Sequence, residues 1–265
     1  MRTLMRCGAL TCAILLGACS SDISSPDSAT SLINADIALV AADATAEDVD
    51  VMREPVFFTA MPGFAPGQGD FRPANCPFNP NNGLLVCPPI THGDITINRS
   101  YMFWDAANVV QQAYDALTTA KATILSAIEG TRTLPNWEAT IERVRNMTAT
   151  GLAGTETQRT WNGTGSSHIT RSKHTDNGPE RSYDLECSLV VTDVVVPVPN
   201  GTDAWPLSGT ITRQCTVTFV GGPRDGQTIS RTATVTFNGT QTVTLTVGGK
   251  TFDLDLKNRH RGARP

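Results

Sequence analysis

The chain has 265 residues, 25 acidic against 21 basic side chains, a net charge of −4 and 40% hydrophobic residues. That length is ample for a domain with its own core, and the charge balance lacks the basic excess that nucleic-acid binding requires. The charge is unevenly spread: Ser20 to Glu54 holds eight acids against Arg53 alone, whereas Pro55 onward is almost neutral, with 17 acids and 18 bases.

Arg2 and Arg6 precede a short, mostly apolar run from Cys7 to Leu16. A bilayer-spanning helix needs about 20 residues, so this run reads as an export signal over residues 1–18. It closes on Leu16-Gly17-Ala18-Cys19, which resembles the lipobox of bacterial lipoproteins. The resemblance covers residues 1–19. It implies that Cys19 is lipidated and anchors the chain to a membrane, and Ser20 after it implies outer-membrane delivery in a Gram-negative host. Beyond this signal the chain resembles no characterised family.

Residues 19–54 then read as a lipidated acidic tether, solvated by its carboxylates, with an Ala-rich part able to form a helix or two. Residues 55–92 are rich in Pro, Gly and Asn and lack periodicity, which predicts loop or extended structure. Four cysteines remain after the signal and Cys19: Cys76, Cys87, Cys187 and Cys215. An even number in an exported chain predicts two disulfides rather than a metal site. Cys76 and Cys87 bracket Asn79-Pro80-Asn81-Asn82-Gly83, strong turn chemistry that a disulfide would pin.

The β domain is expected over 93–257. Asp94 to Trp104 alternates as a strand does. Residues 105–129 fit either one face of a helix (Val110, Tyr114, Leu117, Ile124, Ile128) or β-branched strands, and at least part is expected as strand. From Trp137 on, alternating segments are separated by turn signals, among them Trp161-Asn162-Gly163, Asn200-Gly201, Gly221-Gly222, Asn238-Gly239 and Gly248-Gly249. The three Asn-Gly-Thr sites match the glycosylation pattern and are read as turns. "TITRQCTVTF" (210–219) and "TISRTATVTF" (228–237) are near-copies. Each gives one apolar and one hydroxyl-rich strand face, the pattern of an antiparallel sheet wet on one side. Folding the preceding strand back around Gly201 pairs Tyr183 with Phe219, Leu185 with Val217 and Cys187 with Cys215, within disulfide reach. Val243, Leu245 and Val247 face Phe252, Leu254 and Leu256 in a last hairpin. The fold class is therefore mainly β: an antiparallel meander, packed as a sandwich or curled like a barrel. The basic tail 258–265 is short and without aromatics, so it is read as a solvated end.

Arginines fall on the apolar strand faces at Arg99, Arg171, Arg213 and Arg231, each two residues after an isoleucine. A buried unpaired arginine is expensive, so each must meet a carboxylate, reach water, or line a wet cavity. Arg171, Arg213 and Arg231 are the candidate ligand-facing residues. His168, His174 and Asp176 are too spread along a strand for one metal ion, and Asp253 and Asp255 read as a solvated face. No hydrolase, phosphate-loop, dinucleotide or zinc-protease motif is present.

The reading is a lipid-anchored, non-catalytic envelope protein with a structural or protein-binding role. It takes no cofactor or metal, and its partners are the membrane, through Cys19, and an envelope protein. The alternatives are a carrier whose curled sheet holds an anionic amphiphile, and a surface glycan-binding domain using Trp104, Trp137, Trp161 and Trp205. A carrier requires an internal cavity of several hundred Å³.

Overall fold

The computed structural model describes residues 26–53, 76–115, 117–134, 137–153, 156–173, 181–198 and 204–257. The export signal, Cys19, residues 54–75, His174, Asp176 and the tail 258–265 lie outside them.

One helix, α1 (Pro26–Arg53), is followed by β1 (Phe78–Asn79), β2 (Leu84–Val86), β3 (Ile90–His92), β4 (Ile95–Asp105) and β5 (Val110–Gln111). Four long strands come next: β6 (Thr119–Leu134), β7 (Trp137–Thr150), β8 (Gln158–Lys173) and β9 (Arg181–Pro197). β10 (Ser208–Val220), β11 (Thr228–Thr236), β12 (Thr242–Val247) and β13 (Lys250–Asp255) complete the chain. All thirteen strands join one antiparallel sheet in the order β1-β2-β4-β6-β7-β8-β9-β10-β11-β12-β13, with β3 and β5 also paired to β4. The sheet does not close into a barrel.

The repeated line is two neighbouring strands: β10 and β11 pair Ile211 with Val235, Arg213 with Ala233 and Val217 with Ile229. β9 and β10 pair in the register read from the apolar faces, Tyr183 with Phe219, Leu185 with Val217 and Cys187 with Cys215. Cys187 and Cys215 form a disulfide, as do Cys76 and Cys87, each with Cα atoms 4.1 Å apart. The last hairpin sets Val243 opposite Leu254 and Leu245 opposite Phe252.

Two readings are corrected, the Asn162-Gly163 turn and the solvated tether, while the strand expected within 105–129 and the extended pieces expected within 55–92 are present. Of the two readings of 105–129 the strand holds among the described residues: β5 and the first part of β6 lie there, and Ile124 and Ile128 face inward opposite Tyr101 and Ile97. β1, β2 and β3 bring part of the Pro/Gly-rich segment 55–92 into the sheet, where backbone pairing compensates for missing apolar periodicity. Asn162-Gly163 is not a turn but lies inside β8, opposite a bulge in β9 where Thr192 and Asp193 together face Asn162. Asn162 there exchanges hydrogen bonds with Asp193: its Nδ2 donates to Asp193 Oδ1 at 3.0 Å, and its Oδ1 accepts from Asp193 N at 2.9 Å. A side-chain amide thus replaces the ladder bonds that a bulge interrupts.

The solvated tether is the other reading overturned: from Ile33 to Met52 the helix is packed into the domain. Ile33, Asp36, Ile37, Ala38, Ala41, Ala42, Thr45, Ala46, Asp48, Val49 and Met52 are all buried. These positions go all the way round the helix, so protein surrounds it. The helix expected of the Ala-rich part is present, and its alanines let the sheet approach it closely on several sides.

Connections collect at two ends of the sheet. One end carries the β10–β11 turn (221–227) and the β12–β13 turn (248–249); the other carries the 106–118 loops and the β9–β10 and β11–β12 connections. α1 runs from the first end to the second. Near its start, Asn34 Oδ1 lies 3.0 Å from where a Gly248 side chain would stand, and at its end Arg53 stacks 4.0 Å over the Trp205 ring.

Candidate functional site

The inner face of the sheet is apolar except for a set of arginines. Arg143 and Arg145 on β7, Arg171 on β8 and Arg213 on β10 are buried, and Arg231 on β11 is half-buried. Strand alternation puts them there: each shares a face with apolar neighbours two residues away, as Arg143 and Arg145 do with Ile141 and Met147. Buried guanidinium groups need counter-charges. α1 supplies them.

At 100° per residue, Asp36, Asp43 and Glu47 form one stripe of the helix, and Asn34, Thr45 and Asp48 form another on nearly the opposite side. The first stripe meets β6 to β9. Glu47 pairs with Arg143, Tyr183 Oη donates to Asp36 Oδ2 at 3.0 Å, and Asp43 sits in the field of Arg171, Arg132 and Arg143. The second stripe meets β7, β10 and β11. Asp48 accepts from Arg145 Nε at 2.9 Å and from Arg213 Nη2, Thr45 Oγ1 accepts from Arg213 Nη1 at 2.8 Å, and Asn34 Oδ1 accepts from Arg231 Nε at 2.8 Å. Two opposed polar stripes can both be satisfied only if the sheet curls around the helix.

Burial dominates the electrostatics. It pushes the Asp43 carboxyl above the usual carboxylate range, with Arg171 the largest opposing influence. It pulls Arg213 down to about 10, against the attraction of Asp48. Burial also lowers Arg159 and raises the Tyr114 phenol beside it.

Of the three candidate ligand-facing residues, Arg171, Arg213 and Arg231 all lie on the inner face, and α1 is what they face. Arg171 also stacks 4.8 Å over Trp137. Among the described residues, two cavities between helix and sheet measure about 10 Å³ beside Ile37 and Tyr183 and about 20 Å³ beside Asp43 and Arg171. Each has room for roughly one water. The sequence reading missed Arg143, although Ile141-Glu142-Arg143 has the same Ile-x-Arg spacing, and it missed the helix acids because acidity was taken as a sign of solvation.

The outer face is different. Thr210, Thr212, Gln214, Thr216 and Thr218 on β10 and Thr228, Ser230, Thr232, Thr234 and Thr236 on β11 all point outward. Two adjacent cross-strand rows, Val144-Ser166-Ser188-Gln214 and Glu142-His168-Glu186-Thr216, line an open groove of about 560 Å³. His168 Nε2 lies 2.7 Å from Asp184 Oδ1 at the groove's edge. Asp253 and Asp255 are on the outer face of β13, away from this groove. Among the described residues, no group of three or more His, Cys, Asp or Glu could hold a metal ion.

The tryptophans do not gather into an aromatic cleft. Trp161 and Trp205 are buried, Trp104 lies under Lys121 Nζ at 4.4 Å, and Trp137 lies under Arg171. Among the described residues no helix is long and apolar enough to cross a membrane. No protein-family model matches this chain, and no characterised protein or solved structure is significantly similar to it.

Proposed function

We propose that this chain is a lipid-anchored, non-catalytic cell-envelope protein with a structural or protein-binding role, and that it works through the outer face of its sheet. Occupation of the inner face by α1 carries the reading. The apolar side chains and buried arginines that could have enclosed a small ligand are matched by the helix's alanines and carboxylates, and among the described residues the spaces beside Ile37 and beside Asp43 measure only about 10 and 20 Å³. The hydroxyl-rich outer face, with its 560 Å³ groove, is then the surface left for contact. The anchoring half of the proposal rests on Leu16-Gly17-Ala18-Cys19.

The alternative, a carrier of an anionic amphiphile, draws support from one feature: the α1 carboxylates stand where such a ligand's charge would sit. It requires the helix to leave. Native mass spectrometry of the full chain extracted from its host's envelope separates the two. The proposal expects the polypeptide with its covalent lipid and no further mass. A non-covalent amphiphile that disappears on denaturation would overturn it in favour of the carrier.

A further inference from the structure

The observations on α1 also bear on how the domain sits on its membrane, an inference that rests on the reading of Cys19 as the lipidated residue. With the helix part of the core, the length of chain between the lipid and the folded domain is set by the distance in sequence from Cys19 to Pro26. Cys19 and Pro26 are seven residues apart, and a chain of that length reaches at most about 25 Å however it is arranged. α1, 28 residues long, spans about 42 Å. It runs from the end bearing the 248–249 turn, where Asn34 sits, to the opposite end, where Arg53 meets Trp205.

We propose that the end of the sheet carrying the 221–227 and 248–249 turns is a bilayer-facing surface, and that the 106–118 loops point away from the membrane. The inverted arrangement would raise Pro26 by the length of the helix, about 42 Å, beyond the reach of the tether. The chemistry of the near end agrees. Lys250 is exposed at the tip of the last hairpin, a cation suited to anionic headgroups. In the 221–227 turn, Arg224 is half-buried, stacked 4.0 Å over Phe219 and donating to Gln227 Oε1 at 3.0 Å, and Asp225 accepts from the Gly221 N–H at 2.7 Å, so that turn is charge-balanced. The far end presents Val109 and Leu117, 59% and 77% exposed, so these apolar side chains are held away from the lipid.

The test uses the full lipidated chain, with Lys250→Cys, Pro223→Cys or Leu117→Cys carrying a fluorophore. It is reconstituted in phosphatidylethanolamine–phosphatidylglycerol vesicles that contain headgroup-nitroxide lipid. Quenching several-fold stronger at 223 and 250 than at 117 is the expected result. Equal quenching at the two ends, or stronger quenching at 117, overturns the orientation. A parallel Cys19→Ala chain separates the two readings: if it remains membrane-bound, the anchor assignment fails and the orientation falls with it. If it is released while the 117 probe is the quenched one, only the orientation is wrong.

Discussion

Arg145 Nε donates to Asp48 Oδ1 at 2.9 Å, joining strand β7 to a helix residue 97 positions earlier, and both side chains are buried. The other oxygen of the same carboxylate holds Arg213 on β10. One helix residue therefore ties two strands of the curled sheet together, and the acidic N-terminal segment belongs to the fold.

Asp48→Asn should be the most damaging single change among these groups. It removes the counter-charge of two buried guanidinium groups at once, and uncompensated buried charges cost about 3–5 kcal/mol. Arg213→Met should cost less, because Asp48 keeps Arg145. Urea unfolding of the two variants checks the order; equal losses would mean that Asp48 is not shared.

Asp43 gives a pH signature. Its carboxyl is raised above the ordinary value of 3.8 in the folded protein, chiefly by burial. The folded state therefore holds that proton more tightly than the unfolded one, and ionising Asp43 as pH rises through the raised value weakens the fold. Asp43→Asn should raise the melting temperature relative to the parent at pH 7, with the difference shrinking towards zero below pH 3.8. A pH-independent difference would contradict this.

The β meander was legible because its physics is local and periodic. Alternation assigned the faces of β9 to β13, and the pairing of Cys187 with Cys215 followed from matching them. The helix was harder. Asp36, Asp43, Glu47 and Asp48 look solvated on their own, and only partners far along the chain, Tyr183 for Asp36 and arginines for the others, reverse that reading. The site was half legible for the same reason: the inward arginines could be read from Ile-x-Arg, but not the helix they face. Asn162-Gly163 misled because its turn-forming amide is used on Asp193 instead.

Gly165 on β8 tests how closely the layers fit. A side chain there would meet Val144 O at 2.5 Å and the Arg145 side chain at 3.0 Å. Gly165→Val should push Arg145 off Asp48 and destabilise the domain by about 1–3 kcal/mol, the range of core overpacking. Gly226→Val, where a Cβ meets nothing within 4 Å but φ is +72°, should cost backbone strain without disturbing Arg145. Hydrogen–deuterium exchange at Ala44 to Val49 distinguishes the two variants.

The disulfides should differ in worth. Cys187 and Cys215 close a separation of 28 residues, Cys76 and Cys87 one of 11. In the loop-closure picture the longer one contributes about 3–4 kcal/mol and the shorter about 1 kcal/mol less. Thermal melts of the two double Cys→Ser variants, with non-reducing peptide maps of the parent, check both size and pairing.

Hydrogen–deuterium exchange on the unmodified full chain decides whether α1 belongs to the core. If α1 fills the curled sheet, amides from Ile37 to Met52 should exchange as slowly as those of Ile211 to Val217 in β10, opening only with global unfolding. Rapid exchange across the helix while β10 stays protected would contradict the account and reopen the inner face to a ligand.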